Sequence, residues 1–466
     1  MEKKKRKFQV PHVYALLVGL IILCAILTYI IPAGAYDMMT LEDGREVVNP
    51  DTFHYIEQTP VGLMGTMSAV FRGMLEAAEI VFLIFIFGAC FGVIGETGAI
   101  EAGLVKASKA LAGKEVVIIP VLMVIFSVMG AIIGSAEDLL PYIPICVSLC
   151  LALGFDSITG TAIVLCGGAA GFAGAFLNPY TEGVAQSIAG LPMFSGLGYR
   201  LVVYGCLVLL TITFVFIYAR RVKKNPQLSP MYQIDQARED KLELDEGTHP
   251  FGIRQKLILI ALAITVGLLA YGTIQWGWYF EQIAGLFFGL GIVSAILGGL
   301  SVNQFANAMG RGMADIATGA LVCGFARGIM VVLTDGNIIH TILHATANML
   351  MKLPSVISAI GMYIFQCLLN FVVPSGSGQA AVSMPIMAPL SDLVGVTRQT
   401  ATLAFQLGDG ISNIFTPTSG YFMAALALAK IPWEKWAKWI LPLIGLQYLL
   451  GAVLIVIAHL MNWGPF

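Results

Sequence analysis

The sequence predicts an all-α polytopic membrane protein, an inverted repeat with two re-entrant hairpins and two broken helices. Three observations lead there. The 466-residue chain is 58% hydrophobic and 12% charged, with a mean hydropathy of +0.84, where a soluble chain holds about a quarter charged residues. Motifs from the first half return, in the same order, in the second. In each half a Gly/Ser-rich interruption separates apolar arms that are too short to be two ordinary spans.

The basic start "MEKKKRKF" precedes the apolar run "VYALLVGLIILCAILTYIIPAG". That run exceeds a signal-peptide core and no small-residue cleavage site follows it. It reads as a retained first span with the N-terminus cytoplasmic. Residues 34–59 hold Asp37, Glu42, Asp43, Glu46, Asp51 and Glu57 against Arg45, a composition that fits the outer side.

Arg72 and Glu76 of "FRGMLEA" correspond to Arg311 and Asp315 of "GRGMADI", both 239 residues later. "GSAEDLLPYIPI" (134–145) corresponds to "SGSGQAAVSMPI" (375–386), 241 residues later, so Pro144 meets Pro385 and Gly154 meets Gly395. "NPYTEG" then faces "TPTSGY". Weak singly, these matches in one order at nearly one offset mark an internal duplication. Half two has an additional apolar segment, residues 280–300, and one extra crossing inverts everything after it. Lys106, Lys109 and Lys114 mark an inner surface in half one; Lys430, Lys435 and Lys438 mark it near the end, which leaves the C-terminus outside. Inverted repeats are a mark of secondary transporters, with substrate bound at the repeat interface near the midplane.

Residues 115–153 place two apolar arms around "GSAED"; the second arm, 139–153, carries two prolines and falls short of the ~20 residues a span needs. A re-entrant hairpin with its tip at mid-depth fits, and residues 355–394 have the same form around "PSGSGQ". Each hairpin precedes a segment too interrupted for one helix: 156–190, broken at "GFAGAFLNP", and 397–431, broken at "GDGISNIFTPTSG". Irregular backbone at that depth is tolerated only where protein or a wet cavity satisfies it. Half-helix ends there suit a carboxylate and a cation.

The inferred substrate site joins Ser135, Glu137, Asp138, Ser375, Gly376, Ser377, Gly378 and Gln379 at the tips to Asn178, Glu182, Asp409, Asn413, Thr416 and Thr418 at the breaks. A coupling Na+ or H+ would sit by Ser135, Asn178, Ser377 and Asn413; no other cofactor and no firm metal site is implied. A competing reading makes "GSAED" an outer loop that solvates its acids, because an unpaired acid at mid-depth is expensive. The matching Gly/Ser tip in the other half argues against it.

Residues 220–254 are polar, contain proline and are basic at their start, which reads as a cytoplasmic linker between the halves. The eight cysteines form no CxxC pair and fall in apolar segments, as packing thiols do. Arg327, in "LVCGFARGIMVV", is expected to pair with an acid such as Asp315 or Asp335, the alternative being a substrate carboxylate. Glu76, Asp315, Arg72 and Arg311 read as wet faces of interfacial helices. His340 and His344 stand at i, i+4 without the Glu of HExxH and read as part of a surface helix. The lack of a GxSxG elbow, and of histidines near the breaks, weighs against an intramembrane hydrolase. Hairpins closing from both sides weigh against a channel, and no basic aromatic patch suggests nucleic acid.

In "GSAEDLLPYIP", "GGAAGFAGAFLNPYTEGVAQ", "FVVPSGSGQAAVSMPIMAPLSDLVG" and "LGDGISNIFTPTSGYFMAALALAKIPW" the chain resembles the YfcC-type branch of the C4-dicarboxylate anaerobic carrier family, in the ion transporter superfamily. The resemblance covers essentially the whole chain. It implies a homodimer in the bilayer of the plasma or inner membrane, carrying a small charged metabolite by an elevator motion. Scaffold halves would be 1–112 and 255–352, and transport halves 113–219 and 353–466. The hairpin tips and helix breaks would be the substrate and cation sites. Dicarboxylate-carrying members of the superfamily have neutral Ser-Asn-Thr-type tips. This chain has Glu137 and Asp138 there, and two fixed anions repel a dianion in a low dielectric. Some members of the branch exchange arginine and ornithine or are labelled basic amino acid antiporters. Two acids for a cationic side chain, and Gly/Ser amides for an α-carboxylate, fit such a substrate. The expectation is therefore a basic amino acid antiporter, with a Na+- or H+-coupled dicarboxylate symporter as the alternative.

Overall fold

The computed structural model describes residues 13–40, 46–100, 102–103, 115–132, 134, 136–239, 252–276, 278 and 280–464. Ser135, Lys106, Lys109, Lys114 and Phe466 lie outside the described residues. Within them the chain is almost wholly helical. Among the described residues eight helices are long and apolar enough to cross a membrane, or nine if the bent helix over 302–335 is one span. The segment after the first span departs from the all-helical expectation. Two short antiparallel ladders, 34–35 with 54–55 and 38–40 with 46–48, satisfy backbone groups that no helix serves.

One block is built from α1 (Val13–Ile30), α2 (Leu63–Glu76) and α3 (Ala78–Glu96). After the next helices along the chain, α12 (Val302–Asp335) completes it. α12 runs antiparallel to α2 and α3 and packs along both. Arg72 in α2 pairs with Asp335, the last residue of α12. Arg311, near the start of α12, pairs with Glu96, the last residue of α3, at 2.7 Å. All four are the exposed or half-exposed charges at the two ends of this crossing.

The first hairpin consists of α4 (Ile118–Ile132) and α5 (Tyr142–Ala152), with a short helical turn at Glu137–Leu139. It wraps α6 (Ser157–Gly174), every residue of which is buried. Asp156 caps α6, its Oδ1 accepting from the Thr159 N–H at 2.9 Å. After α6 the chain breaks at Ala175–Asn178; Pro179 bars a return to the same helix. It resumes as a π-helical turn (Pro179–Gly183), α7 (Val184–Ile188) and the long α8 (Leu197–Lys224).

Part of the linker is docked on the helical body. Its helix α9 (Tyr232–Glu239) docks on the start of α6, where Asp235 Oδ2 accepts from Ser157 N and Oγ, both at 2.9 Å. Burial pushes the Asp235 carboxyl above the ordinary range. Arg238 donates to the Lys430 carbonyl at 2.5 Å.

α10 (Ile253–Trp276) and α11 (Phe280–Gly298) lead to α12, and α13 (Ile339–Leu350) follows it. His340 and His344 on α13 are half-buried against the segment that follows α1: Tyr36 donates its N–H to His340 Nδ1, and Phe53 stacks on His344 at 3.9 Å. The second hairpin is α14 (Ser355–Val372) and α15 (Gly376–Leu393), wrapped on α16 (Arg398–Ser412). The chain breaks again over 413–419 before α17 (Gly420–Leu428) and α18 (Trp433–Leu460).

The hairpins enter from opposite ends of the molecule, and α8 measures this. Lys223, at its C-terminal end, pairs with Glu115 at the root of the first hairpin, at 3.2 Å. At its N-terminal end Arg200 lies over Trp463, and nearby His459 contacts Ser355 at the root of the second hairpin, 3.1 Å away. The buried starts of α6 and α16 face those same two ends. The tips meet between them.

Candidate functional site

The two tips, the turn after the first break and the second break border one cavity of about 430 Å³. Of the residues singled out from sequence, Glu137, Ser375, Gly376, Ser377, Asn413 and Thr418 line it. Glu137 and Asp138 fall in a single helical turn, 137–139. Ser375 caps α15, its Oγ accepting from the Gly378 N–H at 3.4 Å, so the positive end of α15 points at the cavity. Gly378 thus serves the cap.

Close approach fixes the tips. Gly134 has φ +73°, and a Cβ there would stand 2.1 Å from Asn178 Oδ1. Asn178 in turn holds the break: its Oδ1 accepts from Tyr180 N at 2.9 Å and Thr181 N at 3.2 Å. A Cβ on Gly376 would meet Thr181 Cγ2 at 2.3 Å and Asp409 Oδ2 at 3.0 Å. The second tip therefore touches the first break and the carboxylate of the second.

Beside the cavity is a buried polar cluster, of which Asn413, Thr181 and Thr418 also line it. Asn370 Nδ2 donates to Asp409 Oδ1 at 2.7 Å, and Asn413 Nδ2 donates to the same oxygen at 3.1 Å. Gln379 is tied to Gln366 at 2.8 Å. No basic group pairs with Asp409 among the described residues, and its Oδ2 has no hydrogen-bond partner. Asn370 Oδ1 and the hydroxyls of Thr181, Thr416, Thr418 and Ser419 are likewise buried and unpartnered. Buried polar atoms ordinarily find partners, and these lack one among the described residues.

Glu182 does not face the cavity. It is wholly buried with Arg200, Oε1 to Nη2 at 2.5 Å, and Arg200 also donates to Thr402 at 3.1 Å.

Arg327 requires a correction. It does not pair with Asp315 or Asp335, which stand roughly 18 and 12 Å along the same helix at 1.5 Å per residue. Asp315 pairs with Lys430 at 2.7 Å, and Asp335 with Arg72. Arg327 meets Glu76 at 3.6 Å, and both line the cavity together with Glu79. Glu76 is thus a cavity residue as well as part of a wet helix face. Asn370 was also missed from sequence; a lone amide near the tip of the apolar arm "CLLNFVV" was the available signal.

A family model for the C4-dicarboxylate anaerobic carriers matches residues 10–460. The chain belongs to the C4-dicarboxylate anaerobic carrier family. A protein of Escherichia coli K12 with the name "Putative basic amino acid antiporter YfcC" is 34% identical over 99% of this chain and 98% of its own. An uncharacterized protein of Haemophilus influenzae is 28% identical over 98% of each chain. The crystal structure of the Alcanivorax borkumensis YdaH transporter covers 98% of this chain and 100% of its own at 18% identity, with a TM-score of 0.42, too distant a likeness to argue from. The chain is thus a multi-pass membrane protein of a transporter family, related over its full length to the YfcC branch.

Proposed function

We propose that this carrier exchanges basic amino acids by alternating access. One observation carries the reading: a carboxylate, Glu137, and the N-terminus of a helix, Ser375–Ser377, border the same cavity from two opposed hairpins. A basic amino acid presents the complementary pair, a cationic side chain and an α-carboxylate. The name of the Escherichia coli relative supports the same substrate class.

An inverted repeat is supported by the opposed entry of the hairpins and by twin local geometry. Gly154 and Gly395, 241 residues apart, end the two hairpins with φ +79° and +74°. The scaffold is α1–α3 with α10–α13, and the transport part is the two hairpins, the two broken helices, α8 and α18. In the conformation described, Lys430–Asp315 ties the two parts together near the linker, while the cavity borders Glu76, Glu79 and Phe280 at the other end. Basic residues crowd the linker end: Arg220, Arg221, Lys223, Lys224, Lys435 and Lys438. By the positive-inside rule that end is cytoplasmic, with N-terminus inside and C-terminus outside. The cavity then faces outward, and an elevator motion of a homodimer in the inner or plasma membrane would carry it inward.

The buried polar cluster beside the cavity suits a coupling Na+ or H+. Asn178 and Asn413 already commit their Oδ1 atoms to N–H donors, whereas Asp409 Oδ2, Asn370 Oδ1 and Thr418 Oγ1 remain. These hard oxygens fit a small cation. That cluster, with Arg327 in the cavity wall, is what favours the second reading, a Na+- or H+-coupled dicarboxylate symporter.

The deciding experiment is uptake of labelled arginine into proteoliposomes preloaded with ornithine, beside succinate uptake. Arginine uptake that is saturable and stimulated by internal ornithine supports exchange. Cation-driven succinate uptake without arginine uptake overturns it.

A further inference from the structure

The ion pairs of α2, α3 and α12 differ in one respect. Arg72–Asp335 and Arg311–Glu96 are twins: each partner of one pair stands 239 residues from its counterpart in the other. The repeat itself demands them. The third pair, Arg327–Glu76, has no twin, because the position 239 residues before Arg327 is Gly88. Gly88 is packed where α3 crosses α12, and a Cβ there would lie 2.6 Å from the Gly312 carbonyl. The guanidinium is therefore an addition to one half, in the wall facing the hairpin tips.

Its present contact leaves it available. Arg327 meets Glu76 through Nε at 3.6 Å, and no hydrogen bond among the described residues engages its two terminal nitrogens. Both side chains are less than half exposed, and both line the 430 Å³ cavity with Ser375, Gly376 and Ser377. A guanidinium fork matches a carboxylate in two parallel hydrogen bonds.

We infer that Arg327 is a specificity-determining residue that binds the carboxylate of the transported molecule, opposite the helix N-terminus at Ser375. This rests on the carrier reading above but not on the choice of side chain. The carboxylate is then held from both parts of the molecule in the conformation described, and Glu76 holds the guanidinium in its place between turnovers.

The test is binding of arginine, agmatine (arginine without its carboxylate) and succinate to purified full-length protein in nanodiscs. Wild type should bind arginine more tightly than agmatine. Arg327→Met should weaken arginine about ten- to hundred-fold and leave agmatine within about twofold, erasing the preference; Arg327→Lys should restore part of it. A merely structural arginine would weaken both ligands alike, and that result overturns the inference. If wild type binds succinate and not arginine, the substrate reading fails, yet Arg327→Met must still weaken succinate; unchanged succinate binding would end the inference as well. Binding of none of the three would remove both.

Discussion

Arg311 binds Glu96 at 2.7 Å at one end of the α3–α12 crossing, and 239 residues away from each of them Arg72 binds Asp335 at the other end. Reciprocal contacts of this kind belong to a two-fold relation. Because the helices run antiparallel, the axis lies across them. If they span the bilayer, the axis lies in the membrane plane, the arrangement of an inverted repeat.

That relation has a topological consequence. His54 and Met461 should label from one side of the membrane and Gln227 from the other, when each is replaced in turn by cysteine. All three are exposed, and the eight native cysteines are buried or half-buried, so background labelling will be low. Labelling of Gln227→Cys and Met461→Cys from the same side would remove the inverted repeat.

The second tip allows a sharp comparison of two glycines. A Cβ on Gly376 runs into Thr181 at 2.3 Å, whereas one on Gly378 comes no nearer than 3.1 Å, to Ser375 Oγ. Gly376→Val should abolish uptake at normal surface expression, and Gly378→Ala should reduce it severalfold at most. Normal uptake by Gly376→Val would show that the tip does not close on the first break.

Much of this was legible in the sequence, for specific reasons. Proline and glycine interrupt long apolar runs, so "GFAGAFLNP" and "GDGISNIFTPTSG" announced breaks that the chain makes at 175–178 and 413–419. The polar tips supply Glu137, Ser375, Gly376 and Ser377 to the cavity's lining. The opposite wall was hidden, because Arg327 and Glu76 are 251 residues apart and meet only through packing of α2 on α12. Glu182 beside a break looked like Asp409 beside a break. Only the fold distinguishes them, by giving Glu182 a guanidinium and Asp409 two amides. The docking of Asp235 on α6 was equally out of reach, since a charged linker sequence reads as solvated.

The Glu182–Arg200 pair is expected to act on stability. Both side chains are fully buried, and removing one partner leaves a buried charge, a loss of about 3–5 kcal/mol. Arg200→Met and Glu182→Gln should each lower the unfolding temperature strongly in detergent. The double variant should recover part of the loss, since it leaves no lone charge. Equal stability of the single variants with loss of uptake would instead make Glu182 a transport residue.

Asp409 is expected to behave in the opposite way. Its carboxylate is wholly buried and, among the described residues, takes hydrogen bonds from Asn370 and Asn413 and has no basic partner. An isolated buried charge costs several kcal/mol, so the site calls for a positive partner. Asn at this position keeps the shape and the acceptor oxygen while removing the charge to be neutralised. Asp409→Asn should therefore leave the unfolding temperature within a few degrees of wild type, or raise it. Uptake should lose its dependence on Na+ or on pH, whichever wild type shows. The measurement is initial uptake in proteoliposomes across Na+ concentration at fixed pH, then across pH at fixed Na+. Retention of the full wild-type cation dependence by Asp409→Asn would place the coupling ion elsewhere, with Glu137 the next carboxylate to test.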